Sequence, residues 1–161
     1  GWWYRLMVRR RRRCIRGGWS AAADVCRRQV AELVPQVIAW ARGPMAEVFG
    51  GCLGDPRVHV HPGDVGELIR DAKGEWDAIL LDVDNGPEGL TRKENNWIYS
   101  PDGIAAAQKS LSPDGVLAYW SAGPEHAFTE RLRRAGFSVE PVTVRALRPG
   151  KGARHVIWLA W

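Results

Sequence analysis

The chain has 161 residues, enough for one domain of ordinary size with a single hydrophobic core. Its apolar content of 45% and charged content of 25% are globular values, which exclude a largely disordered chain. No apolar run approaches the roughly 20 residues of a membrane span, and the basic N-terminus lacks the apolar segment of a secretory signal. We therefore expect a protein that is neither inserted in a membrane nor exported.

Charge is unevenly distributed along the chain. Residues 1–30 hold nine arginines and one acid, a net charge of +8, whereas the other 131 residues hold 14 basic and 17 acidic residues, a net charge of −3. Five consecutive arginines, Arg9 to Arg13, could bind nucleic-acid phosphates, but such a run is more often a solvated tail. No nucleic-acid-binding motif follows it, so nucleic acid is not an expected partner.

Cysteine spacing bears on the cellular compartment. The three cysteines, Cys14, Cys26 and Cys52, show no CxxC spacing and leave an odd one over. This pattern favours reduced thiols in the cytoplasm over a disulfide framework or a zinc knuckle.

Residues 1–29 show neither helical nor strand periodicity, whereas regular signals begin at Val30. We therefore divide the chain into an irregular basic segment, 1–29, and an α/β domain, 30–161. The predicted elements of that domain are, in order, the end of a strand at 30–33, a helix at 35–49, a strand around 58–60, a helix at 65–73, a strand at 76–81, a helix at 101–111, a strand at 116–120, a helix at 124–135, and strands at 137–144 and 155–161.

Alternating strands and helices predict a doubly wound, mostly parallel sheet with helices on both faces. The last two strands have no helix between them, which predicts a C-terminal antiparallel hairpin. In such folds a glycine-rich turn after the first strand should lie about twenty residues before Glu32, yet Arg9 to Arg13 occupies that neighbourhood. We infer that the first βα unit is missing or degraded, and hypothesise that residues 1–29 are a frameshifted remnant of it.

Three acids lie at successive strand ends: Glu32, Asp64 and Asp82. The carboxyl ends of parallel strands meet at one edge of the sheet, where ligands bind. Each acid alone is more often a helix cap or a solvated turn. Because all three follow successive strands in the same way, they together predict one ligand-binding crevice.

From about Val30 onward the sequence resembles the spermidine synthase (polyamine aminopropyltransferase) family, which has a Rossmann-like methyltransferase fold. The matching segments are Ala31–Pro35, Asp55–Val58 with Gly63-Asp64, Trp76–Asp82 and Leu111–Leu117. The resemblance implies decarboxylated S-adenosylmethionine, or S-adenosylmethionine itself, as co-substrate, with no metal. It also implies a small-molecule amine as substrate and allows a homodimer.

The resemblance assigns roles to individual residues. It implies that Glu32 binds ribose, that Asp64 and the adjoining Val65 bind adenine, and that Asp82 deprotonates the amine. The loop Asp82-Val83-Asp84-Asn85-Gly86-Pro87 departs from the family's Asp-Ser-x-Asp-Pro, because its second acid comes one position early. Asp84 and Asn85 are the candidate contacts for the far amine.

Several alternatives stay open. Besides aminopropyl transfer, the same acids suit a methyltransferase, and the absent glycine-rich turn favours a non-catalytic remnant or interaction protein. His59 and His61 share one face of a strand, but a metal site would need further ligands that the sequence does not show. The segment 97–99 is either a lid over the substrate or a small satellite core.

Overall fold

A seven-stranded sheet forms the centre of the computed structural model, which describes residues 5–9 (as backbone), 27–83, 86–87, 96–145 and 152–161. Its strands lie in the order β3-β2-β1-β4-β5-β7-β6. Five of them run in one direction, and β1 and β7 run in the other. The strands are β1 (Arg5–Arg9), β2 (Arg27–Glu32), β3 (Val58–Pro62), β4 (Trp76–Leu81), β5 (Leu111–Ser121), β6 (Val139–Arg145) and β7 (Arg154–Ala160).

Helices connect most of these strands: α1 (Pro35–Arg42), α2 (Val65–Asp71), α3 (Asn96–Tyr99), α4 (Pro101–Ser110) and α5 (His126–Arg134), with a 3-10 turn at Cys52–Gly54. The main buried cluster contains side chains from α2, α4 and α5 together with Ala31 of β2. Ile38 and Ala41 of α1 are buried outside that cluster, as is Val30, which points to the opposite face of β2. The predicted doubly wound α/β fold and its antiparallel C-terminal hairpin, β6–β7, are confirmed.

The absence of regular structure predicted for residues 1–29 is wrong at two places. Arg5–Arg9 forms β1 in the middle of the sheet, paired antiparallel with both β2 and β4. Strand β2 already begins at Arg27, three residues before the predicted domain boundary.

Two predicted element bounds are also corrected. Helix α1 ends at Arg42 rather than near Phe49, because the following Gly43 precedes Pro44, and a residue before proline avoids helical backbone angles. Strand β5 begins at Leu111 rather than at the predicted residue 116: Leu111 pairs with Trp76 and Val116 pairs with Ala78, so residues 112–115 bulge from the ladder. Helix α4 is capped at its start by Ser100, whose hydroxyl accepts the Gly103 N–H at 3.1 Å.

Four aromatic side chains pack against one another in the core: Tyr99, Tyr119, Phe128 and Trp158. Phe128 lies edge-on to Tyr119 and Trp158, at 5.0 Å between ring centroids in each case, and Tyr99 lies 5.6 Å from Phe128. The Trp158 indole N–H donates to the Thr129 hydroxyl at 2.9 Å, so its polar atom is satisfied inside the core.

Alkaline pH is expected to destabilise this core. Burial raises the pKa of Tyr119 far above its ordinary value of about 10, and the neighbouring Tyr99 adds to the rise. Above that ordinary value the unfolded chain loses the phenolic proton while the folded chain keeps it, so the unfolded state binds fewer protons and the free energy of unfolding falls as pH rises. Urea unfolding at pH 8 and at pH 10.5 measures the fall, and the Tyr119→Phe variant should show a smaller one. An equal fall in both proteins would contradict this assignment.

Candidate active site

Strand register places the three predicted acids at one edge of the sheet. In the ladder, Leu6 of β1 pairs with both Val30 and Leu80, so Glu32 and Asp82 each lie two residues beyond the same level. Glu32 itself pairs with Pro62, and Asp64 follows two residues later. Neighbouring strands lie about 4.8 Å apart, so the backbones of β2 and β4, and with them the α-carbons of Glu32 and Asp82, are separated by roughly 10 Å. The acids therefore share the carboxyl edge of β2, β3 and β4.

Glu32 is the last residue of β2, and it is hydrogen-bonded to the residue that follows β3. One of its carboxylate oxygens accepts the Val34 N–H at 2.8 Å, and its backbone carbonyl accepts the Gly63 N–H at 3.1 Å. This second bond carries the parallel ladder past Pro62 and holds Gly63-Asp64 beside Glu32. Among the described residues, the other carboxylate oxygen of Glu32 has no hydrogen bond, so it is available to a ligand hydroxyl.

Asp64 is the N-cap of α2, which is the structural role that a lone acid at a strand end most often has. Its Oδ1 accepts the Gly66 N–H at 2.9 Å, and its side chain is half-buried. The cap uses one oxygen and leaves Oδ2 without a hydrogen-bond partner in the described part of the chain. The adjoining Val65 is fully buried in the main core, so its side chain contacts protein rather than the crevice.

Asp82 follows β4 directly. Its own side chain is half-buried, whereas the next residue, Val83, is 1% exposed and belongs to the core. Successive side chains of an extended chain point to opposite sides, so Asp82 points away from the core that receives Val83. The predicted substrate contacts Asp84 and Asn85 lie outside the described residues.

Gly86 fixes the loop that follows Asp82 against the neighbouring strand. Its φ is +106°, a left-handed value that favours glycine, and a β-carbon there would collide with the hydroxyl oxygen of Ser121 at the end of β5. Ser121 is itself buried, at 4% exposure. The acidic loop thus depends on a residue without a side chain at this position.

Replacing Gly86 by alanine is expected to lower the free energy of unfolding by about 1–3 kcal/mol, through both the positive φ and the collision with Ser121. Urea unfolding measures the change. Gly123→Ala is the matched control, because a β-carbon at Gly123 meets no atom within 4 Å and its φ is not in the left-handed range. We expect that control to stay within about 0.5 kcal/mol of the parent. Equal effects at both glycines would refute the contact.

The strand between β2 and β4 has the opposite direction to the one that a glycine-rich cofactor turn requires. Arg5, the first residue of β1, pairs with Ala31 near the edge that carries the acids, whereas Arg9 pairs with Arg27 at the other edge. The carboxyl end of β1 therefore lies away from Glu32 and Asp82. This agrees with the prediction that the regular first βα unit is missing.

Segment 97–99 is part of the main buried cluster, to which Ile98 and Tyr99 belong and against which Trp97 packs, so it is neither a lid nor a separate satellite core. Ile98 and Tyr99 are buried, at 4% and 2% exposure. Trp97 is half-buried, and the Arg70 guanidinium lies over its ring, 3.8 Å from the centroid. Sequence reasoning missed the Arg70–Trp97 pair and the contact of Gly86 with Ser121, because neither leaves a periodic signal in the chain.

His59 and His61 do not form part of a metal cluster within the described residues, where no group of three or more His, Cys, Asp or Glu side chains is arranged to hold an ion. His59 is exposed, and the buried Nε2 of His61 packs against Gly63 and has no hydrogen-bond partner among the residues that the structure describes. In the same described part of the chain, no helix is both long enough and apolar enough to cross a membrane.

Sequence comparison identifies relatives of one kind, although no protein-family model matches the chain. The polyamine aminopropyltransferase of Mycobacterium tuberculosis (strain CDC 1551 / Oshkosh) is 30% identical over 122 residues, which cover 70% of this chain and 23% of that protein. The polyamine aminopropyltransferase of Nitrosomonas europaea is 33% identical over 95 residues, covering 59% of this chain and 28% of that protein. The chain thus spans about a quarter of the length of these curated relatives.

Solved structures share the fold. Spermidine synthase from Thermotoga maritima superposes with a TM-score of 0.61 at 17% identity, covering 82% of this chain and 43% of that one. A spermidine synthase in complex with the transition state analogue AdoDATO gives 0.60 at 19% identity, with the same coverage of 82% and 43%. Precorrin-6y C5,15-methyltransferase from Geobacter metallireducens GS-15 gives 0.55 at 16% identity, covering 83% and 65%. At these identities the likeness shows the fold alone.

Proposed function

Because the chain belongs to the spermidine synthase-like family with a methyltransferase fold, we propose that it carries the aminopropyl-transfer site of such an enzyme. The proposed reaction moves an aminopropyl group from decarboxylated S-adenosylmethionine to an amine such as putrescine. The observation that carries the proposal is the register that aligns Glu32, Asp64 and Asp82 at one sheet edge.

Each acid has a role that its geometry supports. The second oxygen of Glu32 accepts hydrogen bonds from ribose hydroxyls, and Oδ2 of Asp64 accepts one from an adenine amino group. Val65 contributes its backbone rather than its buried side chain. One oxygen of each carboxylate accepts a hydrogen bond from a nearby backbone N–H, that of Val34 for Glu32 and that of Gly66 for Asp64. Both side chains are therefore oriented before the ligand binds.

Asp82 is the proposed general base. An alkyl-ammonium has no lone pair for attack, so a carboxylate within hydrogen-bond reach first holds it and then takes a proton. The amine nitrogen forms a bond to the aminopropyl carbon while the carbon–sulfur bond breaks, and its electron pair stays on sulfur. The products are the longer polyamine and methylthioadenosine, with the transferred proton passing from Asp82 to solvent. Asp84 and Asn85 remain the proposed contacts for the far amine of the acceptor.

The proposal is tested by incubating the chain with decarboxylated S-adenosylmethionine and putrescine. We expect spermidine and methylthioadenosine in equal amounts. Spermidine formation at the rate of a reaction without protein would contradict the proposal.

A homodimer in the cytoplasm is the proposed state of the protein, and sedimentation velocity tests the dimer.

A methyltransferase is the second candidate, because a structure of that class shares the fold at a TM-score of 0.55 and the three acids suit S-adenosylmethionine equally well. Formation of S-adenosylhomocysteine from S-adenosylmethionine and an amine would favour it. A non-catalytic domain is the third, and the reversed direction of β1 favours it. If the chain binds neither S-adenosylmethionine, nor its decarboxylated form, nor methylthioadenosine, the domain is non-catalytic.

A further inference from the structure

Tyr99 joins the core to the acidic strand end. It ends the short helix α3, is 2% exposed, and donates its hydroxyl hydrogen to the backbone carbonyl of Val83. Val83 is the residue directly after Asp82. This bond therefore fixes the peptide next to the proposed general base.

Tyr99 is itself held on several sides. Its ring lies 5.6 Å from the ring of Tyr119 and 5.6 Å from that of Phe128, between centroids. The Arg131 guanidinium donates to its carbonyl at 2.9 Å. A hydroxyl supported in this way has little freedom, so it can set the position of the group that accepts from it.

A second anchor follows three residues later. Gly86 packs against the buried Ser121, as described above. The described residues on either side of positions 84 and 85 are thus both tied to the core, one by Tyr99 and the other by Ser121. Asp82 lies just before the first of these anchors and points to the opposite side from Val83.

We propose that Tyr99 is a positioning residue for Asp82, and this role rests on the proposed function of Asp82 as the general base. The Tyr99 hydroxyl does not touch substrate. It holds the Val83 carbonyl so that the Asp82 carboxylate keeps one direction in the crevice. A displacement of about 1 Å at such a group is enough to slow a proton transfer strongly.

The test compares two matched variants, Tyr99→Phe and Tyr119→Phe. Each removes one buried hydroxyl that donates to a backbone carbonyl and keeps the ring in the aromatic cluster. The lost bond reaches Val83 in the first variant and Ile98 in the second. A purely structural role would give the two variants the same consequences.

Two measurements distinguish a positioning role of Tyr99 from a purely structural one. Backbone amide exchange of Asp82, Val83 and Gly86 in the chain without ligand should accelerate about tenfold in Tyr99→Phe and stay near the parent rate in Tyr119→Phe. In the transfer assay, kcat should fall about tenfold or more in Tyr99→Phe with an unchanged KM for decarboxylated S-adenosylmethionine, and by less than about threefold in Tyr119→Phe.

Either readout can overturn the proposal. Equal exchange at Asp82, Val83 and Gly86 in both variants would show that the Tyr99 hydroxyl does not position the chain after Asp82. Equal kcat values in the two variants would show that the anchoring does not matter to the base. If the parent chain forms no spermidine, the proposed function fails, while the exchange comparison still decides whether Tyr99 anchors the strand end that carries Asp82.

Discussion

Asp82→Asn is expected to lower kcat for aminopropyl transfer by roughly a hundredfold to ten-thousandfold, the range that general-base catalysis contributes. Asparagine has nearly the same shape as aspartate and can still accept a hydrogen bond, but it cannot take the proton that keeps the amine from attacking. The variant should therefore bind methylthioadenosine as the parent does. Spermidine formation under saturating co-substrate measures the rate, and calorimetry measures the binding.

Asp77→Asn is the matched control for this change. Asp77 lies on the same strand, β4, and is also half-buried, but it lies toward the opposite edge of the sheet, and its Oδ1 accepts from the Ser112 hydroxyl at 3.2 Å. An asparagine oxygen can keep that bond, so we expect activity within about threefold of the parent. Retention of full activity in Asp82→Asn would exclude Asp82 as the base.

Phe128→Ala is expected to lower the free energy of unfolding by about 3–5 kcal/mol, the largest stability effect of any single change considered for this chain. Phe128 is 0% exposed and contacts Tyr99, Tyr119 and Trp158, so its removal leaves a cavity and ends three aromatic contacts. For a domain of this size, such a loss is a large share of the total stability. Urea unfolding followed by tryptophan fluorescence measures it.

Phe128→Leu distinguishes lost volume from lost aromatic contact. Leucine fills much of the cavity, so we expect a cost that is clearly smaller than that of alanine. A loss below about 1 kcal/mol in Phe128→Ala would mean that the aromatic cluster does not form the core described above. In Phe128→Ala, a shift in amide exchange at Asp82, Val83 and Gly86 is expected through Tyr99, the residue that links this cluster to Val83.

Much of the fold was predictable because its signals are local. The apolar run of residues 78–81 predicts the strand β4, and the acids follow from where the strands end. The prediction that β4 is buried on both faces was wrong, because Leu80 is 39% exposed. Strand β1 was not predicted, because Arg5–Arg9 is short and its place between β2 and β4 depends on pairing with residues far along the chain. Its direction likewise has no local signature.

The acids of the site could be predicted from the sequence, but the contacts that hold the chain around them could not. Glu32, Asp64 and Asp82 are visible as carboxylates after strands, and the roles proposed for them come from the family resemblance. The bond from Tyr99 to Val83 joins residues 16 positions apart, and the contact of Gly86 with Ser121 joins a loop to a neighbouring strand. Such contacts depend on how helices and strands pack, so no periodicity reveals them.

Calorimetric titration of methylthioadenosine tests the central claim, that Glu32 and Asp64 bind the nucleoside in the crevice that they share with Asp82. We expect one molecule bound per chain, with affinity lowered about tenfold or more in Glu32→Gln and in Asp64→Asn, because each loses a charged acceptor. Both amides keep an oxygen for the backbone bonds to Val34 and Gly66, so the fold should be preserved. Absence of binding to the parent chain, or equal binding by the parent and both variants, would contradict the claim.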